Sequence, residues 1–196
     1  MFRVLNKKSS IVGYKSANNS IIELEINKST RTNLNRKVIN SNHARYRTEI
    51  AFVTKIYNKF SRKEINHIES DVDKSCIYYK GKYISVDNYD NNNDIVYTSG
   101  IHFYLTFETA FYHNFDFTGY TGEYKTWYAS GALESKINYI NGLKNGLNQM
   151  WYENGKLMLS SMNKDNKLDG LCMRWSSDGV LKYKSIYKNG QISNEL

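Results

Sequence analysis

Three consecutive copies of a 24-residue unit occupy the last third of the chain. Gly122, Gly146 and Gly170 recur at that interval, and so do Trp127, Trp151 and Trp175, then Gly131, Gly155 and Gly179, then Leu133, Leu157 and Leu181. Four columns at one period, with no insertion between copies, define a repeat array. A unit this short cannot bury a face by itself, so the copies have to stack on one another.

Each unit reads as a β-hairpin. Asn154-Gly155 and Asp178-Gly179 are strong hairpin-turn dipeptides and Ser130-Gly131 is a permitted variant. The return connections carry a second column, Gly142, Asn166 and Gly190, in which Asn stands where Gly stands in the others, as expected for positive φ. Strict alternation places Leu133, Ser135, Ile137 and Tyr139 on one face, with Leu157, Leu159 and Ser161, and Leu181, Tyr183, Ser185 and Tyr187, beside them. Glu134, Lys136, Lys182 and Lys184 then fall on a wet face, and the tryptophans form a ladder on every second strand. The half-unit at 115–122 and a short helix near 106–113 are expected to cap the first edge. The last edge, near Tyr187 to Leu196, has no visible cap, so a homodimer through this exposed sheet edge is expected.

The 196 residues, 40% of them hydrophobic, suffice for one large domain or two small ones. No run approaches the roughly 18 apolar residues that span a bilayer, and the opening MFRVLNKKSSIVGYKS lacks the apolar core of a secretory signal, so the expected address is intracellular and cytoplasmic. Cys76 and Cys172 stand far apart, with neither a C-x-x-C nor a histidine pair, which speaks against a disulfide framework or a zinc knuckle; no metal and no cofactor is expected. Residues 1–115 hold 17 basic and 11 acidic side chains, net +6, and residues 116–196 hold 10 and 8, net +2.

That asymmetry comes from residues 28–63, with ten basic side chains against the single acid Glu49. Arg31, Arg36, Lys37, Arg45, Arg47, Arg62 and Lys63 are its candidate anion-binding residues, and Tyr46, Phe52, Tyr57 and Phe60 lie among them for stacking, a composition suited to nucleic acid or an acidic membrane surface. A solvated basic face accounts for the same composition.

Elsewhere in residues 1–114, FRVL and IVGY read as short strands. SIIELEI alternates Ile22, Leu24 and Ile26 with Glu23 and Glu25, a half-buried strand, and TEIAFVTKIY is a further strand with Ile50 and Phe52 on one face. Residues 61–73 are expected to form a short helix, with Ile65 and Ile68 inward. CIYYKGKYISV reads as a hairpin turning at Gly81, and DNYDNNND as a polar turn lacking the glycine and closing glutamate of a calcium loop. Ile101–Leu105 is a strand; Thr106 is an N-cap and Glu108 lies in the first turn of a short helix. The fold class is therefore α+β and predominantly β: a mixed amino-terminal module at 1–114, then a single-layer antiparallel β-meander of three 24-residue hairpin repeats at 115–196.

Two resemblances accompany this reading. WYENGKL and NGLKNG resemble the MORN repeat variant over residues 115–193, with Ser176 departing from the tyrosine at Tyr128 and Tyr152. That likeness implies protein interaction or scaffolding, contact with anionic lipid, and, from the labelling of its bacterial members, an antitoxin or immunity role. GYKSANNSIIELEI, RKVINSNHARYRTEIAFVTKIY and TSGIHFYLTFETAFYH, within residues 11–113, resemble a domain of unknown function of phages and large DNA viruses; Ser99-Gly100-Ile101-His102-Phe103 is its strongest motif. It supplies no catalytic residues, and His102 is a conspicuous motif position.

No nucleophile elbow, P-loop or H-E-x-x-H is present, and the four histidines are scattered. The expected function is non-catalytic: a protein-interaction or scaffold protein, viral in origin, with Trp127, Tyr128, Trp151, Tyr152 and Trp175 as its binding surface. An anionic-ligand binder working through 28–63, and an antitoxin or immunity partner of a toxin, are the alternatives.

Overall fold

The structure is a computed structural model that describes residues 9–195, with side chains through residue 193; the strand expected at FRVL lies outside them. The described residues divide into two compact units between Asn114 and Phe115.

The first unit contains strands β1 (Ser10–Ala17), β2 (Ser20–Asn27), β3 (Arg45–Thr48), β4 (Ile50–Asn58), β5 (His67–Glu69), β6 (Ile77–Tyr79), β7 (Tyr83–Ser85) and β8 (Ile101–Tyr104), and helix α1 (Phe107–Tyr112). Six of the strands form one antiparallel sheet in the order β3-β8-β1-β2-β4-β7. The alternation in β2 does what it predicts: Ile22, Leu24 and Ile26 are fully buried and pack with Tyr46, Val53, Ile56 and Phe103. On the opposite face Ile21, Tyr57 and Tyr104 receive Ala110 of α1, with Tyr14 and Phe107 beside them. Thr106 is the helix N-cap in backbone conformation, yet its hydroxyl meets that of Thr109 at 2.9 Å, not a main-chain N–H.

Two local expectations are corrected here, and a third holds with an addition. Ile50 and Phe52 share a face as expected, the less buried one; Ala51 and Val53 enter the core, and an extra residue at Thr54, opposite the Glu23/Leu24 step, flips the alternation so that Ile56 is buried too. Residues 61–73 form no helix. Asn58 Oδ1 accepts hydrogen bonds from the N–H groups of Phe60 and Ser61, Arg62 takes φ 60°, and Ile65 N–H then donates to Ile56 O, so the chain returns along β4 instead of coiling. Gly81 does turn the chain, with φ 77°, but the strands beside it separate: β6 pairs with β5 and β7 with β4. The turn dipeptide set the bend and tertiary competition chose the partners.

The second unit is a seven-stranded antiparallel meander of β9 (Gly122–Trp127), β10 (Leu133–Ile140), β11 (Leu143–Trp151), β12 (Leu157–Lys164), β13 (Lys167–Trp175), β14 (Leu181–Lys188) and β15 (Gln191–Glu195), each paired with its neighbours in chain order. Its long hairpins close through four-residue turns, in which Gly131, Gly155 and Gly179 donate back to Tyr128, Tyr152 and Ser176 at 2.8 Å. Its return loops are two residues long with both residues at positive φ, the mirror-image turn that matches strand twist. Asn141-Gly142 has φ 50° and 78°, Asp165-Asn166 48° and 67°, and Asn189-Gly190 51° and 86°. Asn166 therefore does replace glycine in the left-handed region. At these loops the N–H of Gly142, Asn166 and Gly190 donates to the carbonyls of Tyr120, Lys144 and Leu168, one bond per period.

Facing within the hairpins differs from strict alternation. Trp127 pairs with Leu133 while Thr126 pairs with Ser135; Trp151 pairs with Leu157 and Met150 with Leu159; Trp175 pairs with Leu181 and Arg174 with Tyr183. A bulge at Glu134, Met158 and Lys182 thus puts each leucine on the tryptophan side and the residue two further on upon the other side. The expected single face of Leu, Ser and Tyr splits in two.

Candidate functional site

The basic segment folds largely inward. Arg47 on β3 has no exposed surface. Its guanidinium donates to the main-chain carbonyls of Asp90 (3.0 Å), Ser99 (2.9 Å) and Asn92 (2.6 Å), and lies 5.0 Å from the Tyr89 ring centre. Its own N–H is held by the buried Asn33 at 2.7 Å. The loop DNYDNNND therefore closes its carbonyls around a guanidinium, and what suggested a calcium loop organises an internal cation. The motif from Ser99 to His102 serves the same loop. Gly100 passes so close to Arg47 that a Cβ would lie 3.0 Å from the arginine Cβ; Ile101 is buried; and His102 Nε2 meets Val96 O at 2.8 Å. Burial pushes the His102 imidazole down to about 4, so it is neutral at pH 7 and Nε2–H is the donor.

The other candidate anion-binding residues are dispersed. Arg31 is ion-paired with Glu49 and Arg36 donates to Arg45 O at 3.0 Å. Arg62 stacks 4.3 Å from the Phe107 ring centre, while Lys37 and Lys63 are exposed. Arg45 faces a cleft of about 1100 Å³, and Arg31 lines a separate one of about 510 Å³. Lys59, of the same segment, is 1% exposed and donates to His113 O and Asn114 O beyond the end of α1; burial lowers it to about 8. The seven differ in setting: Arg31 and Arg47 lie against the same Tyr89 ring and Arg36 reaches Arg45, whereas Arg62 lies against Tyr57 and Phe107, and Arg47 has no exposed surface.

In the repeat sheet, one face carries a cross-strand row of Ile137, Asn148, Ser161, Cys172 and Ser185, buried from Asn148 on, with Ser135, Met150, Leu159 and Tyr183 on one flank and Tyr139 and Tyr187 on the other. At its first end Phe117 of the half-unit stacks on Tyr139 at 4.5 Å and meets Tyr124 edge-on at 4.9 Å. The other face holds Trp127, Trp151 and Trp175, all half-buried, with their paired leucines. Near its first strands this face is charged, where Glu123 meets Lys136 at 2.8 Å and Lys125 at 3.4 Å. Over β11 to β14 it carries more apolar residues: Leu147 opposes Met162 and Leu171 opposes Ile186, with Gln149, Ser160, Met173 and Lys184 between that row and the tryptophans, and Leu147, Met162 and Leu181 are 42%, 39% and 46% exposed.

Tyr128 and Tyr152 are placed for another task. Tyr128 Oη–H donates to Trp151 O at 2.9 Å and Tyr152 Oη–H to Trp175 O at 2.8 Å, each reaching into the next repeat. In the third repeat Ser176 stands at the equivalent position, and its hydroxyl donates within its own turn, to Val180 O at 3.1 Å.

Two antiparallel sheets in separate units, the second a meander of 24-residue hairpins, define a β-repeat protein. Residues 1–110 match a family of unknown function (DUF5758), and the chain belongs to that family; residues 120–141, 144–161 and 168–189 match the MORN repeat variant. No curated protein and no solved structure matches the chain. MORN repeats generally serve as interaction or scaffold modules and are generally non-enzymatic. No helix among the described residues is long and apolar enough to cross a membrane.

Proposed function

We propose that this protein acts by binding, with the tryptophan face of its repeat sheet docking a protein partner through β11 to β14. One observation carries the reading: Leu147, Met162 and Leu181 stand exposed on the same face as Trp151 and Trp175, where the first strands carry an ion-paired charge cluster instead. Trp127, Trp151 and Trp175 remain the anchors of this surface, since half-buried indoles offer large contact area at low entropic cost. Tyr128 and Tyr152 support it by joining repeats. A toxin occluded by such a face is one partner of this description, and a second copy joined at β15 is another.

The test is affinity capture from the native host with wild type and with Leu147→Glu/Met162→Glu, read by mass spectrometry after nuclease treatment. Proteins recovered by the wild type and lost with the charged variant, at unchanged circular dichroism, support the reading and identify the partner. Equal recovery by both overturns it.

A further inference from the structure

Bridging between β1 and β8 is confined to Tyr14 and Tyr104; beyond that point the strands part, and the segment carrying β5 and β6 lies over the gap. The resulting cleft of about 1100 Å³ is lined by Lys15, Arg45, Tyr78, Tyr97 and His102 among others. Lys15, paired with the fully buried Ile22, makes no hydrogen bond or ion pair among the described residues; its ammonium lies 5.7 Å from the centre of the Tyr78 ring, with Asp71 and Cys76 acting on it from farther off. Arg45 keeps its Nε buried without an acceptor and lays its guanidinium 5.2 Å from the centre of the Tyr97 ring.

Two cations in one cleft, neither in a contact ion pair among the described residues, repel each other, and Asp71 offsets this for Lys15 only from a distance, whereas buried charges in proteins are ordinarily paired. Burial first and Arg45 second hold the Lys15 ammonium below its ordinary value. Nearby acids are engaged elsewhere or lie at the surface. Asp71 accepts from Asn18 N–H and the Asn114 amide, and Asp73 from the N–H and hydroxyl of Ser75. Asp73 and Asp87 line the exposed rim. His102 is neutral and fixed to Val96, so it adds no third charge. A guanidinium over a tyrosine ring keeps N–H donors that an oxyanion can accept from. The aromatic wall is itself open: Tyr97 is 72% and Tyr79 48% exposed.

We propose that this cleft binds a small ligand carrying an oxyanion, phosphate or carboxylate, on a planar apolar body, with Lys15 and Arg45 holding the anion and Tyr97 covering the body. The site is independent of the repeat-sheet reading, and lies in the other unit.

Calorimetric titration of the full chain with phenyl phosphate, benzoate and inorganic phosphate tests it. Phenyl phosphate or benzoate should bind, and the aromatic anion at least about tenfold more tightly than inorganic phosphate. Lys15→Met and Arg45→Gln should each weaken that binding by about tenfold or more, the loss of one charge-assisted hydrogen bond. Tyr97→Ala should abolish the preference for the aromatic anion. Without ligand, both charge variants should melt no lower than wild type, because each relieves a repulsion. No binding of either aromatic anion, undiminished binding by the charge variants, or a preference for inorganic phosphate overturns the proposal. So does a lower melting temperature of both charge variants without ligand, which would make the two cations structural.

Discussion

At the scale of single residues, the informative groups are polar ones taken inside. Arg47 satisfies three loop carbonyls at once. Truncating it to methionine orphans them in a buried place, so Arg47→Met should lower the unfolding free energy by about 3 kcal/mol in denaturant titration, and Arg47→Lys should rescue only part of this. His102 and His113 are both held down to about 4, first by burial and further by neighbouring cations. A histidine whose folded value lies below its ordinary 6.5 binds more protons unfolded than folded across that interval. Stability should therefore fall as pH drops from about 6.5 to about 4, and His113→Gln should flatten the slope over that window in urea unfolding followed at several pH values. Lys59 has the same sign at the other end: its folded value of about 8 lies below the ordinary 10.5, so its contribution should grow as pH rises through that range.

At the scale of elements, hairpin geometry separates glycines that differ only in surroundings. Gly142 and Gly155 have nearly equal φ, 78° and 81°. A Cβ at Gly142 would meet the Phe117 carbonyl oxygen at 2.5 Å, whereas at Gly155 it meets nothing within 4 Å. Gly155→Ala should cost about 1 kcal/mol, the strain of the left-handed region alone, and Gly142→Ala clearly more, read as a larger drop in thermal midpoint. The tyrosine stitches are elements of the same kind. Tyr152→Phe removes the bond to Trp175 O and should cost about 1 kcal/mol in the same unfolding assay.

For the whole molecule, net charge misleads about partners. The chain carries +8, but Arg47 and Lys59 are buried, Arg31 is ion-paired and Arg62 is stacked on aromatic rings. Lys28, Lys37 and Lys63 remain of the segment at the surface without an ion pair among the described residues. Three phosphate contacts support only weak, salt-sensitive attraction, so anisotropy with a short DNA duplex at physiological salt should show affinity no tighter than the non-specific range of about 10⁻⁴–10⁻⁶ M. Nanomolar binding would restore the segment as a nucleic-acid interface.

Sequence by itself determined what depends on neighbours along the chain: the period of the array, the turn columns with Asn166 in a glycine's place, the alternation of β2, and the strand-to-helix step at Thr106. These follow from backbone sterics and side-chain periodicity, which act over a few residues. The rest only tertiary structure decided. Bulges at Glu134, Met158 and Lys182 moved each leucine to the tryptophan face because pairing, not alternation, sets orientation there. Competition among strand edges parted β6 from β7 and drew residues 61–66 against β4. Arg47 became internal because a distant loop could bring three carbonyls to it, and Lys15 met Arg45 because β1 and β8 diverge after one bridge. Burial and long-range pairing are properties of the assembled sheets, and a charge count along the chain does not contain them.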